Sequence, residues 1–94
     1  MTKRRVAITG LGVVCPIGNN ASDAWSAAKG GQSGIGRITR FDCNDFASQI
    51  AGEVKNFDPV QYIEQKETRR MDLFTMYAIA AAQQAWDQAK LASA

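Results

Sequence analysis

Ninety-four residues, 46% hydrophobic and 21% charged, make one modest globular unit, and a formal net charge of +2 falls far short of the basic stripe that nucleic-acid binding needs. The absence of histidine excludes Ser-His and Cys-His nucleophilic sites and most zinc sites within the chain. The two cysteines, Cys15 and Cys43, are too far apart for a disulfide framework or a metal motif, which fits reduced thiols in a cytoplasmic protein.

The N-terminus places Lys3, Arg4 and Arg5 before VAITGLGVVCPIG, an order shared with signal peptides. Gly10, Gly12 and Pro16 break the apolar part, no small-x-small cleavage site follows, and Val14 stands where a lipoprotein signal wants a small residue. No stretch approaches membrane-spanning length. Arg5 to Val14 is β-branched and apolar without polar alternation, the pattern of a strand buried on both faces. Pro16, Gly18 and Asn19-Asn20 end it with turn chemistry. A short helix is expected next, with Asn20 as its cap, Asp23 three residues on, a stripe of Ala21, Ala24, Trp25 and Ala28, and Gly30-Gly31 as its stop.

Gln32 to Asn44 reads as a glycine-punctuated loop. A strand is expected over Gln49 to Lys55, with Ile50, Gly52 and Val54 on one face and Glu53 and Lys55 on the other. Asp58-Pro59 opens a short helix to about Glu64. The last element is a long helix from Lys66 to Lys90, with Met71, Phe74, Ala78, Ala81, Ala82, Ala85 and Ala89 on one face and Leu73, Met76, Ile79 and Trp86 around the rest. A helix apolar nearly all round is a buried one. Doubly buried strands need sheet neighbours and helices on both sides, more than this chain offers. The pattern is that of part of a larger layered α/β fold, and an isolated chain is not expected to fold stably.

Among the motifs, Gly10-x-Gly12 invites a nucleotide reading, but Cys15 stands where the third glycine belongs and Pro16 intervenes before any helix. Close backbone packing within a sheet accounts for it better. Cys15 reads as a small buried hydrophobe and Cys43, flanked by Asp42 and Asp45, as inert. Phe41, Phe46, Phe57 and Tyr62 follow no stacking spacing and read as anchors rather than a base-binding platform. Lys66, Arg69 and Arg70 pose a sharper question, because cations at a helix N-terminus oppose the macrodipole. At about 100° per residue they share one face of a continuous helix. Two readings stand: a solvated face paired locally with Glu64, Glu67 and Asp72, or a docking patch for an acidic partner.

The ordered series RVAITGLGVVCPIGNN, then Trp25 and GQSGI, then Phe41-Asp42, IAGEVKNFDP and KETRRMDLFTMYAIAAAQQA resembles the N-terminal part of the beta-ketoacyl-[acyl-carrier-protein] synthase II family, condensing enzymes of the thiolase-like superfamily. The resemblance runs from about Lys3 to Leu91 and makes residues 1–94 an N-terminal segment of the condensing-enzyme domain. It implies an α-β-α-β-α layered fold, incomplete as a domain here, with Arg5 to Val14 as the first strand of a central sheet. It implies a homodimer that extends acyl chains by two carbons. An acyl thioester on cysteine is attacked by the carbanion that decarboxylation of malonyl-acyl carrier protein releases, and two histidines stabilise the developing charge. That cysteine and both histidines belong further along the family's chain, so no catalytic residue is assigned here. No cofactor is bound by this segment; phosphopantetheine arrives attached to acyl carrier protein. The resemblance also implies that Lys66, Arg69 and Arg70 are part of the docking surface for that acidic carrier protein; from the charge and the lack of a spanning stretch, no nucleic-acid or membrane partner is expected. The rivals are a freestanding, non-catalytic protein that binds an acidic carrier protein, and a nucleotide-binding fragment.

Overall fold

Helix starts and stops are the parts of this fold written most locally. The computed structural model describes residues 3–91. Asn20 caps α1 (Ala21–Lys29): its backbone is extended, and its side-chain oxygen accepts the Asp23 amide at 2.8 Å while its amide donates to the Asp23 carboxylate at 3.0 Å. At the other end Gly31, at φ +71°, donates to the Ala28 carbonyl and Gln32 to that of Ala27, the double bond of a Schellman stop. The expected alanine stripe is only half right. Ala27 is the buried residue of α1, whereas Trp25 is 64% exposed, with the Lys29 ammonium 5.8 Å from its ring centre.

Two three-residue strands come next, β1 (Ile35–Arg37) and β2 (Ile50–Gly52), paired antiparallel with Ile35 opposite Gly52, Gly36 opposite Ala51 and Arg37 opposite Ile50. The expected loop therefore hides a strand. Ile-Gly-Arg is too short and too polar to show a period of two. The second strand is shorter than Gln49–Lys55, and its faces are not those the alternation predicts: Ile50 is exposed, and Glu53 turns inward. Gly34 and Gly52 let the hairpin lie against Pro16, where a Cβ would stand 2.6 Å and 3.0 Å from that ring. Pro59–Gln61 forms a 3-10 turn capped by Asp58, whose side chain accepts the Val60 amide at 3.2 Å.

The expected long helix is two helices. α2 (Gln65–Thr68) ends in three-residue turns at Arg70 and Met71, and α3 (Leu73–Ala89) restarts after Asp72, which has extended backbone. An Asp immediately before an apolar run is a helix-start signal, and it outweighs the continuous periodicity. α3 buries Met76 and Ala80, while Phe74 is 73% exposed, so an apolar circumference does not by itself make a buried helix.

The Arg5–Val14 strand does not form as a paired strand. The segment lies alongside α3: the Leu11 amide donates to Gln88 Oε1 at 2.6 Å and the Val13 amide to Gln84 Oε1 at 3.1 Å. Gly10 and Gly12 lie against the Ala85 and Ala81 carbonyls, where any Cβ would overlap them. The glycine pair does serve close backbone packing, but against a helix rather than within a sheet. Val6 and Ile8, at 91% and 82% exposed, have no cover among the described residues. The whole chain shows the same deficit. Its accessible surface is 7626 Å², against about 5,300 Å² for a compact protein of this mass. Its radius of gyration is 16.9 Å, against about 12 Å.

Candidate functional site

Lys66, Arg69 and Arg70 lie at the corner between α2 and α3, all exposed. Lys66 is the second residue of α2, Arg69 its C-cap at φ −69°, and Arg70 stands next in the turn. They do not share a face of one continuous helix, because the helix stops at Thr68. Nor do they crowd the N-terminus of the long helix, so the macrodipole objection falls away. Arg69 caps the C-terminal end of α2, the end that tolerates cations, and Arg70 stands two residues before the Asp72 that starts α3, outside its first turn. Among the described residues the corner holds one ion pair, Lys66 to Glu64 at 4.0 Å with both side chains more than three-quarters exposed; Arg69 and Arg70 have none. Glu64, Glu67 and Asp72 equal the cations in number, so the corner carries exposed positive heads without a net positive charge.

An aromatic cluster ties the chain just before α2 to α3. Phe57 stacks on Tyr62 with ring centres 6.3 Å apart and meets Tyr77 of α3 edge-on at 5.0 Å. The Tyr62 hydroxyl accepts from Gln84 Nε2 at 3.2 Å, and the Tyr77 hydroxyl accepts from Arg40 at 3.0 Å. Gln84 serves three segments at once, since it also takes the Val13 amide and donates to the Asn19 carbonyl at 2.7 Å. Sequence spacing does not find these roles. It marks Tyr62 only as an anchor, yet a partly buried tyrosine must place its hydroxyl, and that is the available signal.

Two further polar clusters lie on the hairpin side. Glu53 accepts the Thr39 hydroxyl at 2.8 Å, the Thr39 amide at 3.1 Å and the Arg40 amide at 3.3 Å, with Arg40 Nε at 3.8 Å. These donors, the Thr39 hydroxyl foremost, hold its carboxyl below the usual carboxylate range against the opposing effect of desolvation. Lys55 Nζ donates to the carbonyls of Glu53, Gly34 and Pro16 at 3.0, 3.3 and 3.4 Å, beside a cavity of about 390 Å³ lined by Asn19, Asp23 and Ser33 among others. Cys15 is only half-buried, in the turn it closes with Gly18; the thiol that fills the core is Cys43, 2% exposed. Among the described residues no group of three or more metal-ligating side chains assembles, and no helix is long and apolar enough to cross a membrane.

The family model described as beta-ketoacyl synthase, N-terminal domain, matches residues 3–94. The chain belongs to this family. Similar proteins include the 3-oxoacyl-[acyl-carrier-protein] synthase 2 of Coxiella burnetii (strain RSA 493 / Nine Mile phase I), 50% identical over 91 residues, and that of Staphylococcus aureus (strain COL), 48% identical over 88. These alignments cover 97% and 94% of this chain but 22% and 21% of the relatives, so the chain spans about a fifth of their length. Among solved structures it superposes on the ishigamide ketosynthase/chain length factor with a TM-score of 0.85 at 38% identity, over 96% of this chain and 22% of that one. The α/β fold of the ketosynthases is thereby shown for this chain, as an incomplete portion of the domain. Each of these beta-ketoacyl synthase relatives carries far more polypeptide than the helices and hairpin of this chain.

Proposed function

We propose that this chain acts as the N-terminal part of a condensing enzyme that elongates fatty acyl chains, joining an acyl-enzyme thioester to malonyl-acyl carrier protein with loss of carbon dioxide. The observation that carries the reading is the family match over residues 3–94, with relatives named as 3-oxoacyl-[acyl-carrier-protein] synthases. With no histidine, this chain brings none of the family's histidine chemistry. Its part is architectural, through the 5–14 segment and α3, and recognitional, through Lys66, Arg69 and Arg70. The cations fit an acidic carrier protein: exposed heads at a helix corner pair with its carboxylates at contact and set orientation rather than supply bulk affinity. Arg69 and Arg70 are the stronger pair, since neither is committed to an internal carboxylate among the described residues and a guanidinium holds a carboxylate in two-pronged geometry. The cytoplasmic homodimer of the family is the assembly this reading assigns.

The test is charge reversal of all three residues in a complete condensing enzyme that carries this segment. KM for carrier-linked substrates is expected to rise roughly tenfold or more at low ionic strength and to lose most of its salt dependence. Small thioester substrates, which need no docking, are expected to be turned over as before. Equal losses on both substrate types would replace docking with a folding defect.

A further inference from the structure

The geometry points to Tyr62 as the residue that positions the carrier-docking corner, an inference that rests on the docking reading above. α2 is poorly equipped to hold itself. It has four residues, buries none, has no side-chain cap at Glu64, and its Lys66 pair is a 4.0 Å surface contact. Helices this short have no independent stability, so the flanking segments must place them. On its C-terminal side stands the Arg69-Arg70-Met71 turn, held by three-residue backbone bonds. On its N-terminal side stands the 3-10 turn Pro59–Gln61, which touches both α2 and α3. Tyr62 closes that turn, donating its amide to the Pro59 carbonyl at 3.0 Å, and Ile63 beside it is buried.

From this place Tyr62 fastens the approach to α2 in two ways. Its ring stacks on Phe57, and its hydroxyl accepts from Gln84, which lies three turns along α3. Gln84 is itself fixed by the Val13 amide and the Asn19 carbonyl, so the Tyr62 hydroxyl is tied to a rigid point rather than to a free side chain. Tyr62 does not itself touch the carrier protein. It fixes the direction in which Lys66, Arg69 and Arg70 point, and preorganised recognition is lost when such support loosens.

Tyr62→Phe removes one oxygen and keeps the ring stack. In a complete condensing enzyme carrying this segment, it is expected to raise KM for carrier-linked substrates roughly three- to tenfold, the range set by loss of one supporting hydrogen bond. kcat and turnover of small thioesters should stay within about twofold. Deuterium uptake in a peptide covering residues 64–71 should rise, while residues 21–29 keep their protection. Tyr77→Phe deletes the same atom from the same aromatic cluster, but from a hydroxyl that accepts from Arg40; it should leave the carrier KM unchanged. Failure of either the KM change or the exchange change in Tyr62→Phe overturns the inference, and so does an equal KM rise in Tyr77→Phe. The docking reading is judged separately by the charge-reversed triple variant. A carrier-specific defect there with none in Tyr62→Phe sinks this inference alone, and no carrier-specific defect there sinks both.

Discussion

Residues 15–55 and the segment 3–14 lying on α3 solve the same problem in opposite ways. In the first region helix ends and turns meet side chains two or three positions away, Asn20 on Asp23 and Ser33 on Ile35, while Glu53 and Lys55 reach back across the hairpin to Thr39, Arg40, Gly34 and Pro16, still within the region. In the second, two amides borrow glutamines from a helix, and Val6 and Ile8 face solvent. The difference is one of range. Caps and turns are closed by residues a few positions away, whereas a strand buried on both faces is closed only by other strands and layers. A piece of a larger fold therefore keeps its loops and loses its sheet.

The largest expected effect breaks the comparison at the level of the whole chain. With about 2,300 Å² more accessible surface than a compact protein of its mass and Ala27, Cys43, Ile63, Met76 and Ala80 as its buried apolar residues, the isolated 94-residue chain is expected to show no cooperative thermal transition and to bind a hydrophobic dye strongly. A sharp calorimetric transition in a monomer would mean that the 5–14 segment is closed some other way.

The next effect isolates the contact between that segment and α3. In a complete enzyme carrying the segment, Gly12→Ala should cost about 3 kcal/mol or more, because its Cβ meets the Ala81 backbone and neither chain segment can yield cheaply. Gly36→Ala, where a Cβ meets nothing within 4 Å, should stay within about 0.5 kcal/mol. Equal costs from chemical denaturation would show that glycine flexibility, and not the helix contact, is what matters.

The same division by range explains what is legible in the sequence. Asn20, Gly31 and Asp58 announce their caps, and each is where residue chemistry places it. The ordered motifs announce the family. The hidden parts are decided by contacts at a distance. Ile35-Gly36-Arg37 becomes a strand only because Ile50-Ala51-Gly52 returns beside it. The break at Asp72 is masked because Met71, just before it, falls on the same helical face as Phe74 and Ala78. The three cations Lys66, Arg69 and Arg70 are legible as residues but not as a place: a continuous helix puts them on one face, whereas they lie in and just after α2, before α3 begins.

The smallest effect lies within residues 15–55 and probes how their closure depends on charge. Glu53, just beyond β2, binds the Thr39 hydroxyl, the Thr39 and Arg40 amides and, more distantly, the Arg40 guanidinium. Each of these favours the carboxylate, so its folded-state pKa lies below that of the unfolded chain. The sign comes from linkage: the contribution is complete above the usual carboxylate range and is lost as pH falls through the lowered folded value. In a complete enzyme carrying the segment, amide exchange over residues 35–54, corrected for intrinsic rates, should therefore be flat from neutral pH down to the carboxylate range and accelerate only below it. Glu53→Gln keeps the shape and one acceptor oxygen but not the charge, so it should show the loosened state at neutral pH and little change on acidification. If the variant kept the acid response of the parent, another carboxylate would control the loop. Arg40 bonds the Tyr77 hydroxyl as well as Glu53, so acid loosening would reach α3 through that contact while leaving Tyr62 and its glutamine in place.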